Sequence, residues 1–192
     1  MNLPNKLTVI RIILSFVFMF FIFSHGLLAK SLAFAAFLIA SITDFFDGYI
    51  ARKYNLITDL GKLLDPIADK VLVLAAFSAF VHMRIIPAWM LVIIVFRELL
   101  ITGTRLILAR KGKVIAASAW GKYKTVGQMI SIFIILGFIV LKEAGTNKYD
   151  FWSQAWQISS INIINIVMYI TIGLTILSGA SYFMRNKNAF KN

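Results

Sequence analysis

Long apolar runs separated by short polar stretches recur along the chain, at residues 7–24, 31–51, 66–83, 87–109, 125–141 and 160–184. Each is near the roughly 20 residues that an α-helix needs to cross the hydrocarbon of a bilayer. The intervals between them leave no room for a soluble domain. The pattern therefore predicts an all-α, polytopic membrane protein with six transmembrane helices, residues 1–192 forming one membrane-embedded domain.

Composition agrees with that reading. Hydrophobic residues make up 60% of the chain, against about 45–50% in soluble domains. The first run follows Lys6 and Arg11 like a secretory signal, but Ser24, His25 and Gly26 lead straight into more apolar sequence with no small-residue cleavage site, so a retained span is expected. With no cysteine, neither a disulfide framework nor a thiolate metal site is possible.

The net charge of +12 would suit a nucleic-acid partner if it lay on one soluble face, yet the cations sit in short connections beside the runs. There they set topology and attract anionic lipid headgroups, so no nucleic acid is expected as a partner. A cytoplasmic amino terminus puts Lys6, Arg11, Lys53, Lys62, Arg110, Lys111, Lys113, Lys122, Arg185, Lys187 and Lys191 inside, against Lys30, Arg84, Lys142 and Lys148 outside. Both termini are then cytoplasmic.

The acids are unevenly placed. Of eight, five fall in one window: Asp44, Asp47, Asp59, Asp65 and Asp69. A carboxylate within a span costs about 2.5–3.5 kcal/mol on insertion scales, so each needs a polar cavity and a partner. Asp44 and Asp47 are three apart and Asp65 and Asp69 four apart, spacings that put each pair on one helical face. The short connection between the second and third runs makes them antiparallel neighbours, so the two pairs can confront each other as a four-carboxylate metal site. Hard oxygen ligands with no nearby His or Cys favour Mg²⁺ or Mn²⁺, and four carboxylates suffice for two ions.

Alternatives remain at this level. Some of these aspartates could cap helices or pair with Arg52, Lys62 or Lys70, and Asp59 lacks a spaced companion. Asp65 precedes Pro66, which disfavours helical angles at Asp65; the spacing argument is kept if Pro66 stands in a first helical turn. Gly48 and Ala51 leave the helix beside Asp47 without bulk, room for a ligand or for close helix packing. Arg52 suits a phosphate or nucleotide, or snorkels to the interface.

Together these residues read Asp44-x-x-Asp47-Gly48-x-x-Ala51-Arg52, eight residues, Gly61, three residues, Asp65, three residues, Asp69. This resembles the signature of the CDP-alcohol phosphotransferase family at all eight of its positions. The resemblance implies a six-helix membrane fold, a homodimer, and a single catalytic domain opening to the cytoplasm in a bacterial cell membrane. It implies that Asp44, Asp47 and Asp65 hold metal and that Asp69 both holds metal and acts as general base. It implies a CDP-diacylglycerol pocket lined by Gly48, Ala51, Arg52 and Gly61, with Thr58 at a donor-contacting hydroxyl position. The opening Pro4-Asn5-Lys6-Leu7-Thr8, followed by Arg11, is similar to the start of bacterial members, where this stretch touches the cytidine diphosphate; Asn5 and Thr8 are the candidates, and interfacial anchoring accounts for them equally well.

The second half resembles the branch that makes phosphatidylglycerophosphate, in Arg97-Glu98, Gly103-Thr104-Arg105, Val114 to Ser118, Gly121 to Thr125 and Gln128. The implied acceptor is glycerol 3-phosphate. A basic cluster at membrane depth suits an acceptor that carries a phosphate, and Arg105, Lys122 and Lys124 are the candidate phosphate ligands. Topology alone explains Arg110, Lys111 and Lys113. Arg97 and Glu98 need partners within the fourth run, with Glu98 expected to orient a basic residue. The implied chemistry is direct attack of the acceptor hydroxyl on the β-phosphorus of the donor, with release of CMP. Synthases of the same family that use inositol phosphate, phosphatidylglycerol or serine are the runners-up. From another class, an ion-coupled transporter would explain clustered acids but not Arg52 or the glycine spacing.

Overall fold

The computed structural model describes the backbone of residues 3–54, 59–110, 119–147 and 153–186. Side chains are described for most of these, the exceptions being 3–7, 44–54, 59–67, 69, 106, 109–110, 119, 147 and 186. Thr58 lies outside the described residues, as do the side chains of Asn5, Asp44, Asp47, Ala51, Arg52, Asp59, Asp65 and Asp69.

The described chain is all-helical: α1 (Leu3–Phe23), α2 (Leu27–Tyr54), α3 (Asp59–His82), α4 (Ala88–Arg110), α5 (Ala119–Asn147) and α6 (Gln154–Asn186). Every apolar run of the sequence corresponds to one helix, usually extended by polar turns. The third is the one whose start is displaced most. It begins at Asp59, so Pro66 is not in a first turn but well inside α3. A proline there cannot donate to the carbonyl four residues back, and the residues before it have entered the helix despite their local bias.

The helices form a closed ring, α1 beside α2, then α5, α6, α4, α3 and back to α1, with α3 also touching α5 and α2. Consecutive helices along the chain alternate in direction, so that the ring neighbours α1 and α3, and likewise α4 and α6, run parallel. The ring of Phe23 at the end of α1 meets His82 at the end of α3, centroids 5.0 Å apart, and the Gly26 N–H before α2 donates to Glu143 Oε1 late in α5 at 3.1 Å. Gly26 has φ 92°, a conformation that glycine adopts without a Cβ penalty. Lys30 folds back to donate to the carbonyls of Ile22 at 2.7 Å and Ser24 at 2.9 Å. It thereby caps carbonyls that the end of α1 would leave unpaired.

The outer surface is apolar, and part of the interior is polar. Phe16, Phe20, Leu28, Val92, Phe96, Leu99, Ile166 and Tyr169 stand exposed, while Thr8, Arg11, Lys124, Gln128, Thr175 and Ser178 are buried. An apolar surface this extensive marks a membrane partner. Among the described residues, Trp120–Thr146 and Gln154–Arg185 are long and apolar enough to cross a bilayer, and Thr8–Phe23, Leu27–Thr43 and Lys70–His82 form shorter apolar helices.

Candidate active site

The interior changes character along the bundle axis. On α1 the buried face runs Thr8, Arg11, Ser15 and then Phe18 and Ile22, steps of three and four residues that keep one face inward. On α5 it runs Lys124, Gln128, Ser131 and then Ile135 and Ile139; on α6, in the opposite direction, Ile164 and Met168 give way to Thr171, Thr175 and Ser178. At one end of the ring the core is therefore polar, and at the other it is apolar. The buried exceptions at the apolar end, Lys30 and Ser160, donate to backbone carbonyls.

The helix segments that carry the signature acids lie at the polar end. Asp44 and Asp47 stand in the second half of α2 and Asp65 and Asp69 in the first half of α3, all on helical backbone, and the two helices touch. Gly48, Ala51 and Arg52 continue α2 past Asp47, and Gly61 stands in α3 a turn before Asp65. The donor chemistry of this set, carboxylates alone, fits a hard divalent cation. Ala68, fully buried between the turns of Asp65 and Asp69, shows that this part of α3 packs into the ring.

Thr8 and Arg11 are both inside the bundle, Arg11 only 1% exposed. Neither is an interfacial anchor in this structure. A guanidinium costs too much to bury without polar company, and Arg11 shares its inward face with Thr8 and Ser15, the Ser15 hydroxyl itself donating to the Arg11 main-chain carbonyl at 2.9 Å. Asn5 precedes them on α1.

A second polar group ties α3, α4, α5 and α6 together at the same end. Glu98 Oε1 accepts from Arg97 Nη1 at 3.1 Å and from the Lys124 ammonium. Arg97 Nη2 donates to Ser178 Oγ on α6, and Lys70, next to Asp69, donates to Thr102 Oγ1. Glu98, Thr102 and Arg105 follow at steps of four and three on one face of α4. Of the candidate phosphate ligands, Lys124 is buried in an ion pair, Lys122 is exposed, and Arg105 is exposed with its guanidinium 5.8 Å from the centre of the Tyr182 ring. Gln128 lies one turn beyond Lys124 and is 2% exposed; its Nε2 has no acceptor among the described residues.

The expectation that Arg97 and Glu98 find partners within the bundle, with Glu98 orienting a basic residue, is met by Arg97 and Lys124; Ser178 and Thr102 were missed. Polar residues at steps of three and four inside otherwise apolar runs were the available signal.

A family model for CDP-alcohol phosphatidyltransferase matches residues 1–178, and the chain belongs to that family. Within it, a Bacillus subtilis protein named CDP-diacylglycerol–glycerol-3-phosphate 3-phosphatidyltransferase is 38% identical, the match covering 99% of this chain and 97% of that one. Proteins of the same name from Rickettsia bellii and Rickettsia typhi are 38% and 37% identical, covering 98% of this chain and 97% and 99% of theirs.

Proposed function

We propose that the chain transfers the phosphatidyl group of CDP-diacylglycerol to glycerol 3-phosphate, giving phosphatidylglycerophosphate and CMP. The observation that carries this reading is that the backbone segments of α2 and α3 bearing the four aspartates share one end of the ring with the Arg97–Glu98–Lys124 group. Near-full-length similarity to phosphatidyltransferases of that name supports it.

Asp44, Asp47, Asp65 and Asp69 would hold Mg²⁺ or Mn²⁺, two ions in the fullest case, which when bound neutralise the donor diphosphate and the charge on departing CMP. Gly48, Ala51, Arg52, Thr58 and Gly61, with Asn5 and Thr8, form the donor pocket. Asp69 takes the proton of the acceptor hydroxyl as its oxygen attacks the β-phosphorus and the bond to the bridging oxygen of CMP breaks. Arg105, Lys122 and Lys124 receive the acceptor phosphate, a charge-assisted role. The chain works as a single membrane-embedded domain with six spans, both termini and the site cytoplasmic, and as a homodimer.

The test is an acceptor screen with purified protein and labelled donor, offering glycerol 3-phosphate, inositol phosphate, serine and phosphatidylglycerol. CMP release with glycerol 3-phosphate, lost with chelator and restored by Mg²⁺ or Mn²⁺, is expected. Preference for another acceptor would move the chain to another branch; ion flux in liposomes without CMP release would make it a transporter.

A further inference from the structure

Among the described residues, Glu98 is the acid on which two cations of the polar end converge. A single carboxylate oxygen receives both the Lys124 ammonium and Arg97 Nη1, so one negative charge faces two positive ones. The Glu98 and Lys124 side chains are only 13% and 6% exposed, which makes this geometry expensive unless it is kept in register. Arg97 is braced from its other side by Ser178 on α6, so its guanidinium cannot follow the carboxylate freely. Lys124 has three donor hydrogens and, among the described residues, Glu98 as its acceptor. The residual positive charge is thus held inside the bundle rather than at its rim. The group is also linked toward the aspartates: Thr102, one turn beyond Glu98 on α4, receives Lys70, the neighbour of Asp69, and Lys70 is close enough to Lys124 for their charges to interact.

We infer that Glu98 is a positioning residue for the acceptor: by fixing Lys124 and Arg97 across α4 and α5, it presents the spare ammonium hydrogens to the acceptor phosphate and so makes the site prefer a phosphorylated alcohol. The inference rests on the proposed function and deepens it. Glu98 itself touches no substrate, since a carboxylate facing a phosphate dianion would repel it. Its effect passes through Lys124, and an ammonium no longer held would either swing to the rim or lose its charge inside.

Glu98→Gln, Glu98→Asp and Ser178→Ala, assayed in mixed micelles with both substrates varied, separate this role from a structural one. Glu98→Gln should raise the KM for glycerol 3-phosphate about tenfold, the scale of one charged hydrogen bond, with the KM for CDP-diacylglycerol unchanged and kcat within about threefold of wild type. Glu98→Asp, which keeps the charge, should recover part of the loss. Ser178→Ala, which removes a brace of Arg97 and leaves the Glu98–Lys124 pair in place, should raise the acceptor KM by a smaller factor, about two- to threefold, and it carries the test if Glu98→Gln does not fold. Equal loss of kcat with both KM values unchanged, or failure of Glu98→Asp to recover anything, would overturn the positioning role while leaving the function standing. Absence of CMP release from wild-type protein with glycerol 3-phosphate would instead defeat the function and the inference with it.

Discussion

The two ends of the ring are built from the same helices but solve opposite problems. At the apolar end Phe18 meets Phe37 edge to face at 5.6 Å and Phe37 meets Phe133 at 5.3 Å, so α1, α2 and α5 interlock through rings that need no partner but each other. At the polar end the same ring of helices encloses Arg11, Arg97, Glu98, Lys124 and Gln128. These groups are costly to bury and are retained where chemistry calls for charge. The apolar end supplies the stability that lets the polar end carry unfavourable charge in fixed positions. Disturbing the first should lower stability without changing the kinetics of folded protein; disturbing the second should change the kinetics, and should lower stability as well only where it leaves a buried charge without its partner.

The largest effect is expected at the signature acids. Replacing any one of Asp44, Asp47, Asp65 or Asp69 by Asn should abolish transfer, while thermal unfolding in detergent stays near that of wild type; substantial activity in two of the four variants would break the shared-site model.

Next comes Phe37→Ala at the apolar end. Removing a fully buried ring should cost about 3–5 kcal/mol of stability, read as a lowered midpoint of thermal unfolding, with both KM values of the surviving protein intact. A changed acceptor KM would mean that the two ends are not separable.

Arg105→Ala and Lys124→Ala should weaken glycerol 3-phosphate by about ten- to a hundredfold, equivalent to about 1.5–3 kcal/mol, with little effect on CDP-diacylglycerol. Lys124→Ala should also destabilise the protein, because it leaves Glu98 buried with half its compensation, whereas exposed Arg105 should show the kinetic effect alone. Triple replacement of Arg110, Lys111 and Lys113 should disturb lipid affinity or orientation first; if it alone weakens the acceptor, the phosphate assignment is wrong.

The smallest effect belongs to Asp59→Asn. Asp59 is the first residue of α3, where a carboxylate favours the positive end of the helix by about 0.3–1 kcal/mol. A slight loss of stability with nearly normal turnover is expected, and complete loss of activity would add a fifth acid to the site.

The apolar runs and the spacing of the aspartates were legible in the sequence because both are local. Helical periodicity and the cost of buried charge act within one segment, so the helical content, the membrane setting and the acid pairs could be read without knowing which helix touches which. Boundaries were less legible. Pro66 argued for a helix starting there, but α3 begins at Asp59, so one proline's local preference did not set the boundary.

What the sequence could not decide is contact between segments far apart in the chain. Arg11 near the amino terminus reads equally well as an interfacial anchor or as part of a donor-contacting stretch until α1 is seen to turn Thr8, Arg11 and Ser15 inward. Lys124 and Arg105 look equivalent as loop-end cations, yet one is buried against Glu98 and the other lies open over Tyr182. Ser178 has no motif, and its place beside Arg97 exists only because α6 returns against α4. Hydrophobic periodicity determines that a face is buried, but in a ring of six helices it says nothing of the neighbour, and it is the neighbour that decides whether a buried charge is paired, braced or free to meet a substrate.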